Sequence, residues 1–355
     1  MKTAGTVETD ARAQLHEAEE LLSRRALGEA LVGFNRAEAA GADRDRCSGG
    51  RWTTYMLLGK FERAWQESDT IRLRGAPDPN RFWTGEEISD RRVIVRCLHG
   101  FGDSVQFLRY AGHLNALASR VVWEVAPAML EITRCFRGVS EALPWACDCE
   151  ASRDWDIQIE VMELPYLFRT TQAELPIAAQ YLRLPEAAMH AAAAEIGPRR
   201  APRAGVVWAA GSWNPHRSIP VGELASLFQH SGWEFWNLQG GEYRTLRHER
   251  SLAALRDAKA CNHGILPLAA VISQLDLVIT VDTLAAHLAG AMDVPAWLML
   301  QYAGDWRWMA DRSDSPWYPS LRIFRQKSAG DWRGVVEAVK NALEEQRSQT
   351  EGRAA

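Results

Sequence analysis

Over the first eighty positions, apolar residues recur every three or four residues, most clearly in LSRRALGEALVGFNRAEAA and RWTTYMLLGKFERAWQESDTI. That period puts them on one face of a helix. Leu27, Ala30 and Leu31 in the first run align with Phe61, Ala64 and Trp65 in the second. The offset is about 34 residues, the length of a tetratricopeptide unit. Small Ala30 and Ala64 let paired helices approach closely, while Phe61 and Trp65 fill the gaps. Two units are fewer than a free-standing array needs, so residues 1–80 are expected to dock on the rest of the chain, with protein contact through this segment as a further role.

Proline and glycine in RLRGAPDPNRFWTGEE end the helical pattern, and the periodicity changes. RVIVRCL (92–98) reads as a strand, residues 103–117 as a helix, VVWEV (121–125) as a strand and 127–136 as a helix. DWDIQIEVMELPYLF supplies one more strand before a turn at Pro165. Alanine and proline then dominate PEAAMHAAAAEIGPRRAP, read as the crossing into a second alternating set. In that set AGVVWAAG, WEFWNLQ, DLVITV and PAWLML are strands. IPVGELASLFQH, LPLAAVISQL, LAAHLAGAM and 332–343 are helices. Short β-rich runs alternating with helices predict parallel sheets covered on both faces, here as two α/β domains at 90–200 and 203–345. Ligands in such sheets lie beyond the carboxyl ends of the strands.

Composition narrows the class without deciding it. With 47 % hydrophobic and 24 % charged residues, the chain is a folded globular protein, and a net charge of -4 with no basic run argues against nucleic acid as a partner. Six scattered cysteines, including the close pair Cys147 and Cys149, lack metal or redox spacing and read as ordinary thiols. The first residues have no apolar core and no run reaches membrane-spanning length, so a cytoplasmic location without a transmembrane segment is the default expectation.

Three loops carry candidate chemistry. After the strand DLVITV, Asp282 and Thr283 precede LAAHLAGA. Asp282 can cap the helix, the structural reading. Alternatively, Thr283 and His287, four apart on one face, join the free helix amides in holding a phosphate. Leu284, Leu288 and Ala291 fall on the core side. In HGFGDS, Gly100 and Gly102 permit a tight turn, and Asp103 opens a helix as a cap or as a general base facing a cleft. His99, Arg96, Gln106 and Arg109 are candidate neighbours. The third glycine of a dinucleotide fingerprint is missing, which argues against NAD. In GSWNPHRSIP, Arg217 offers a guanidinium fork for phosphate, with Ser212, Asn214 and Ser218 as further donors. Gln239, ending WEFWNLQ, is a candidate nucleotide contact. Trp306, Trp308, Trp317 and Tyr318 either pack the core or stack on a ligand, and Asp305 and Asp311 either orient sugar hydroxyls or sit on the surface.

These residues resemble bacterial heptosyltransferase-like glycosyltransferases of family 9, in the variant fused to tetratricopeptide-like helices. DLVITVDTLAAHLAGAMDVPAWLML looks like their diphosphate-binding signature, HGFGDSVQFLRY like their first glycine-rich loop, and DIQIEVMELPYLF like a later first-domain segment. DWRWMADRSDSPWYPSLRIFRQKSAGDW looks like the tail of the fused group. Leu284 stands where glycine or serine is frequent, and the 211–220 loop is shorter than in that group. The resemblance implies a GT-B fold: two Rossmann-like α/β domains preceded by a small tetratricopeptide-like helical segment. It implies an enzyme, inverting and metal-independent, that moves a sugar from a nucleoside-diphosphate donor such as ADP-heptose to an acceptor hydroxyl on a glycan, protein or small molecule. No separate cofactor is expected. Asp103 is then the implied base, and Arg217, Asp282, Thr283 and His287 the implied donor contacts; Gly102, Ser212, Asn214 and Gln239 complete the candidate donor site from the loops themselves. The alternatives are a non-catalytic interaction protein with a vestigial transferase domain, and a sugar-nucleotide epimerase or hydrolase.

Overall fold

The computed structural model describes residues 4–75, 82–146, 148–176, 180–229, 232–240, 252–258 and 263–354. Cys147 and Cys261 lie outside the described residues. Helices α1 (Ala4–Ser23), α2 (Leu27–Ala39), α3 (Arg44–Leu57) and α4 (Phe61–Arg74) open the chain. A first α/β run follows: β1 (Arg92–Arg96), α5 (Phe101–Phe107), α6 (Ala111–Leu117), β2 (Arg120–Val125), α7 (Leu130–Thr133), β3 (Ala142–Pro144), α8 (Glu150–Arg153), β4 (Ile157–Glu160) and α9 (Leu164–Leu167). Helix α10 (Glu186–Ile196) leads into the second run: β5 (Arg203–Val207), β6 (Glu234–Asn237), β7 (Arg256–Asp257), α11 (Ile265–Ile272), β8 (Leu277–Val281), α12 (Leu284–Met292), β9 (Ala296–Leu300), β10 (Leu321–Arg325) and α13 (Trp332–Ala354).

The chain packs as two compact units. One comprises Met1–Gly85, Glu163–Leu175 and Ala303–Arg312; the other comprises Glu86–Met162, Pro176–Tyr302 and Ser313–Ala355. In the first unit, α2 and α4 start at Leu27 and Phe61, in phase with the aligned apolar positions. Ala30, Ala64 and Phe61 are fully buried. Arg51 on α3 is buried, and its guanidinium reaches Glu38 of α2 and Glu67 of α4, each at 2.7 Å. One cation thus ties three helices, and losing it would leave two carboxylates facing each other. Two later segments complete this unit. The Trp65 indole donates to Thr170 O at 2.8 Å, Trp52 meets Trp306 edge-on at 5.4 Å, and Ala310 N donates to Leu57 O at 2.9 Å. The helical pairs therefore bury their faces against non-repeat chain.

The second unit holds both sheets, and every pairing in them is parallel. The first sheet has strand order β3-β2-β1-β4 and the second β10-β9-β8-β5-β6-β7. Counted within its own half, the second order is the doubly wound one, with the chain reversing direction between β5 and β8; the first sheet reverses between β1 and β4. At such a reversal, connections leave to opposite faces and open a crevice at the carboxyl ends of the two strands. β5, β8 and β9 are buried along their whole length, which is why LVITV and AWLML read as continuous apolar runs.

Several expectations change in the structure. The 185–202 segment is not merely a crossing: its alanines form α10, as their helix propensity favours. Residues 219–229 make two short 3₁₀ turns instead of an α-helix, with Pro220 at the cap of the first and Gly222 inside it. Pro165 lies in the first turn of α9, where a missing N–H costs nothing. The thiols of Cys97, Cys47 and Cys135 are all pushed up by burial, that of Cys97 to about 12, so they are not poised for reaction. Among the described residues, no helix is long and apolar enough to cross a membrane.

Gly290 on α12 has a packing role. A Cβ there would stand 2.2 Å from the Tyr318 ring. Gly290→Ala is expected to destabilise by about 1–2 kcal/mol, overpacking offset in part by better helix propensity. The thermal midpoint should fall by roughly 2–8 °C; an unchanged melting curve would show that the ring moves aside without cost.

Candidate active site

The two halves of the second unit meet where α5 packs on α12. Gly102 makes that approach possible, because a Cβ on it would lie 2.6 Å from His287 Cδ2 and 3.0 Å from Nε2. His287 is 3 % exposed, and its Nδ1 is 2.9 Å from the Tyr318 hydroxyl. The glycine-rich loop after β1 and the helix after β8, about 185 residues apart in the chain, are thus in direct contact.

On the first-half side, the N-cap of α5 is Gly100, whose backbone N–H donates to Asp103 Oδ2 at 2.9 Å. This is half of a capping box: the acid at the third helical position reaches back to the chain entry. Asp103 therefore caps its own helix, and it follows directly on the glycine that touches His287. His99 Nε2 lies 3.6 Å from Glu160 Oε1 across the β1–β4 reversal. Arg96 pairs with Glu124 and donates from Nε to Gln158 at 2.9 Å, within the same sheet. Gln106 is fully buried, one helical turn beyond Gly102 on the same face of α5. Its side-chain amide has no hydrogen-bond partner among the described residues.

On the second-half side, Thr283 is the N-cap of α12, with an extended backbone (φ −145°, ψ 175°) and no side-chain cap hydrogen bond. Its hydroxyl lies 3.0 Å from Thr280 Oγ1. Ala286 N donates to Thr283 O at 3.1 Å, so the amides of Leu284 and Ala285 are the ones that open the helix toward an anion. Asp282, buried, stands one residue ahead of the cap. At the far end, Asp293 leaves the helix in the left-handed region (φ 62°) and its N–H closes the last turn.

Arg217 joins this helix start to the β5 loop. Its Nη1 donates to Asp282 O at 3.0 Å, and its guanidinium carbon sits 4.3 Å from the centre of the Trp213 ring. β5 and β8 flank the chain reversal, so the loop after one and the helix after the other meet where a doubly wound sheet receives its ligand. Asn214 caps the short turn that carries Arg217, through its carbonyl. Ser218 Oγ accepts from Ala210 N at 3.0 Å, closing the loop, and Ser212 is exposed on its outer side. Gln239 is fully engaged: Oε1 accepts from Trp208 N and Ala209 N at 3.1 and 2.9 Å, and Nε2 donates to Ala209 O at 3.1 Å. It braces the strand end that launches the Arg217 loop.

Other positions fall elsewhere. Arg109 is neither at the surface nor in an opening: it is 5 % exposed, enclosed by the rings of Tyr181, Trp317 and Tyr318. Trp308, Trp317 and Tyr318 are buried packing residues. Trp306 and Asp305 belong to the helical unit, where Asp305 accepts from Arg307 N, and Asp311 is exposed. Trp213, 76 % exposed over Arg217, is a feature that the sequence reading passed over. Its only signal there was an aromatic four residues before the arginine.

No family model matches the chain. Protein FlbA of Caulobacter vibrioides is 25 % identical over 331 residues, covering 82 % of this chain and 54 % of FlbA. The chain thus spans about half the length of the curated relative it matches. Among solved structures, a glycosyl transferase family 9 protein from Veillonella parvula superposes with a TM-score of 0.52 at 12 % identity, covering 73 % of this chain and 97 % of that one. The E. coli ADP-heptose LPS heptosyltransferase II gives 0.52 at 14 % identity, covering 72 % and 99 %. The fold is therefore the GT-B fold of heptosyltransferase-like family 9 glycosyltransferases, preceded here by a helical segment.

Proposed function

We propose that the protein is a glycosyltransferase that moves a sugar from a nucleoside-diphosphate donor to an acceptor hydroxyl, with inversion and without a metal. The observation that carries this reading is the join of Arg217 to the start of α12 at the β5–β8 reversal, with α5, the helix that carries Asp103, packed against α12 through Gly102. A diphosphate seated there takes the amides of Leu284 and Ala285, the Thr283 hydroxyl, His287 and the Arg217 fork. In this arrangement the protein's own donors meet the phosphate charge. ADP-heptose is the donor that the name of the E. coli neighbour suggests.

In the reaction, the acceptor oxygen forms a bond to the anomeric carbon as the bond to the diphosphate oxygen breaks. Asp103 takes the acceptor proton, and the leaving group departs with the electron pair from the opposite face. Negative charge grows on the bridging oxygen, so donors already aimed at it bind the transition state more tightly than the ground state. One carboxylate acting as base suits a single displacement with inversion, since no second carboxylate is needed to hold a glycosyl intermediate.

A panel of nucleotide sugars, read by product mass with and without added acceptor, tests this reading. Transfer of a sugar mass to an acceptor, with release of nucleoside diphosphate, is expected. Product formed equally without acceptor would point to a hydrolase or epimerase, and absence of donor binding by the folded protein would point to an interaction module.

A further inference from the structure

Gly102, His287, Tyr318 and Gly290 form a continuous stack, each glycine admitting the ring beside it. Behind the stack lies Arg109, a buried cation that donates to neutral groups. Nε donates to Gln106 O at 2.7 Å, Nη1 to Trp317 O at 2.9 Å and Nη2 to the Tyr181 oxygen at 3.3 Å. Three aromatic faces lie 4.9–5.4 Å from its guanidinium carbon, where their negative quadrupoles offset part of the charge.

Part of the proton arrangement in this cluster can be assigned. A guanidinium only donates. Tyr181 gives its proton to Val105 O at 3.0 Å and accepts from Arg109. The Tyr318 hydroxyl lies within reach of Tyr181 and of His287 Nδ1, and these are the two acceptors open to its proton. Burial above all holds the Tyr318 hydroxyl well above its ordinary value, which keeps that proton in place. The nitrogen 2.9 Å away is His287 Nδ1.

We propose that Tyr318 is a positioning residue for His287: its hydroxyl donates to Nδ1 and so fixes the imidazole tautomer with the proton on Nε2, the nitrogen on the Gly102 side. The consequence rests on the transferase reading above. A protonated Nε2 presents a donor to an anionic leaving group, whereas a bare Nε2 presents a lone pair and repels it. One arrangement accounts for the glycine of GFGD, the glycine of HLAGAM and the tyrosine of SPWYP.

The test uses the whole protein labelled with ¹⁵N-histidine, with His287→Gln to assign the resonance among the nine histidines. The wild type should show His287 neutral and protonated on Nε2. Tyr318→Phe should shift it toward a mixture of tautomers and weaken ADP binding about tenfold, the cost of one lost hydrogen bond, while Tyr181→Phe leaves the His287 tautomer unchanged. A wild-type ring protonated on Nδ1 or on both nitrogens would overturn the proposal, and so would a Tyr318→Phe protein with unaltered tautomer and ADP affinity. If Tyr318→Phe does not fold, the wild-type spectrum still decides. If the wild type binds no ADP, the transferase reading is what fails, and the tautomer still reports on Tyr318.

Discussion

Asp103→Asn is expected to lower turnover by about two to four orders of magnitude, the usual worth of a positioned general base. The substitution separates chemistry from structure because of what Asp103 does in the fold. Its Oδ2 accepts the Gly100 N–H at 2.9 Å, and an asparagine side-chain oxygen can accept the same bond, so α5 should keep its start. Asparagine cannot take a proton from an acceptor hydroxyl. Turnover and donor affinity measured separately should therefore diverge, with ADP binding within about twofold of wild type. If turnover persists, Asp103 is only a helix cap. If binding and turnover fall together, the cap has been lost and the variant says nothing particular to the base role; Asp103→Ser, which shortens the side chain, then provides the comparison.

The second large effect is expected at Arg217. Arg217→Ala removes a side chain that bridges the β5 loop and the start of α12, and it exposes the face of Trp213 that the guanidinium covers. Loss of one preorganised donor to developing charge costs about 2–4 kcal/mol in the barrier. Nucleoside diphosphate affinity should fall by roughly ten- to a hundredfold, in line with a charge-assisted hydrogen bond to phosphate. Arg217→Lys should recover part of the affinity, since lysine restores the charge but not the planar fork. Thr283→Ala should weaken binding less, because its hydroxyl is shared with Thr280. Equal affinities in calorimetry for wild type and Arg217→Ala would remove this residue from the donor site.

Periodicity made much of the fold legible. The spacing from Leu27 to Phe61 reproduces the starts of α2 and α4, and the buried central strands β5, β8 and β9 stand out as apolar runs. What escaped has physical reasons. β3 is three residues long and ends in proline, and β7 is two exposed residues, so neither has a period to detect. β10 lies at the sheet edge, and its LRIFR carries two arginines, giving it the pattern of a half-exposed segment.

The site was legible as three separate loops and not as a constellation. Thr283, His287, Arg217 and Asp103 are each recognisable by motif, yet no local pattern says that Gly102 touches His287 or that Arg217 reaches the carbonyl of Asp282. Those facts depend on where two chain reversals place their loops. Arg109 and Gln239 show the reverse problem: polar side chains near a motif look like ligand contacts, but one is buried under aromatic rings and the other is spent on the backbone of residues 208 and 209. Tyr318 read as packing, which it is, and only its hydroxyl distance to His287 gives it a second task.

The most direct measurement is a crystal structure of the protein with a bound nucleoside diphosphate. The account predicts phosphate oxygens about 2.7–3.2 Å from the amides of Leu284 and Ala285 and from the Arg217 guanidinium, with His287 Nε2 turned toward them. A diphosphate held away from residues 283–285, with Arg217 still directed at the Asp282 carbonyl alone, would contradict it.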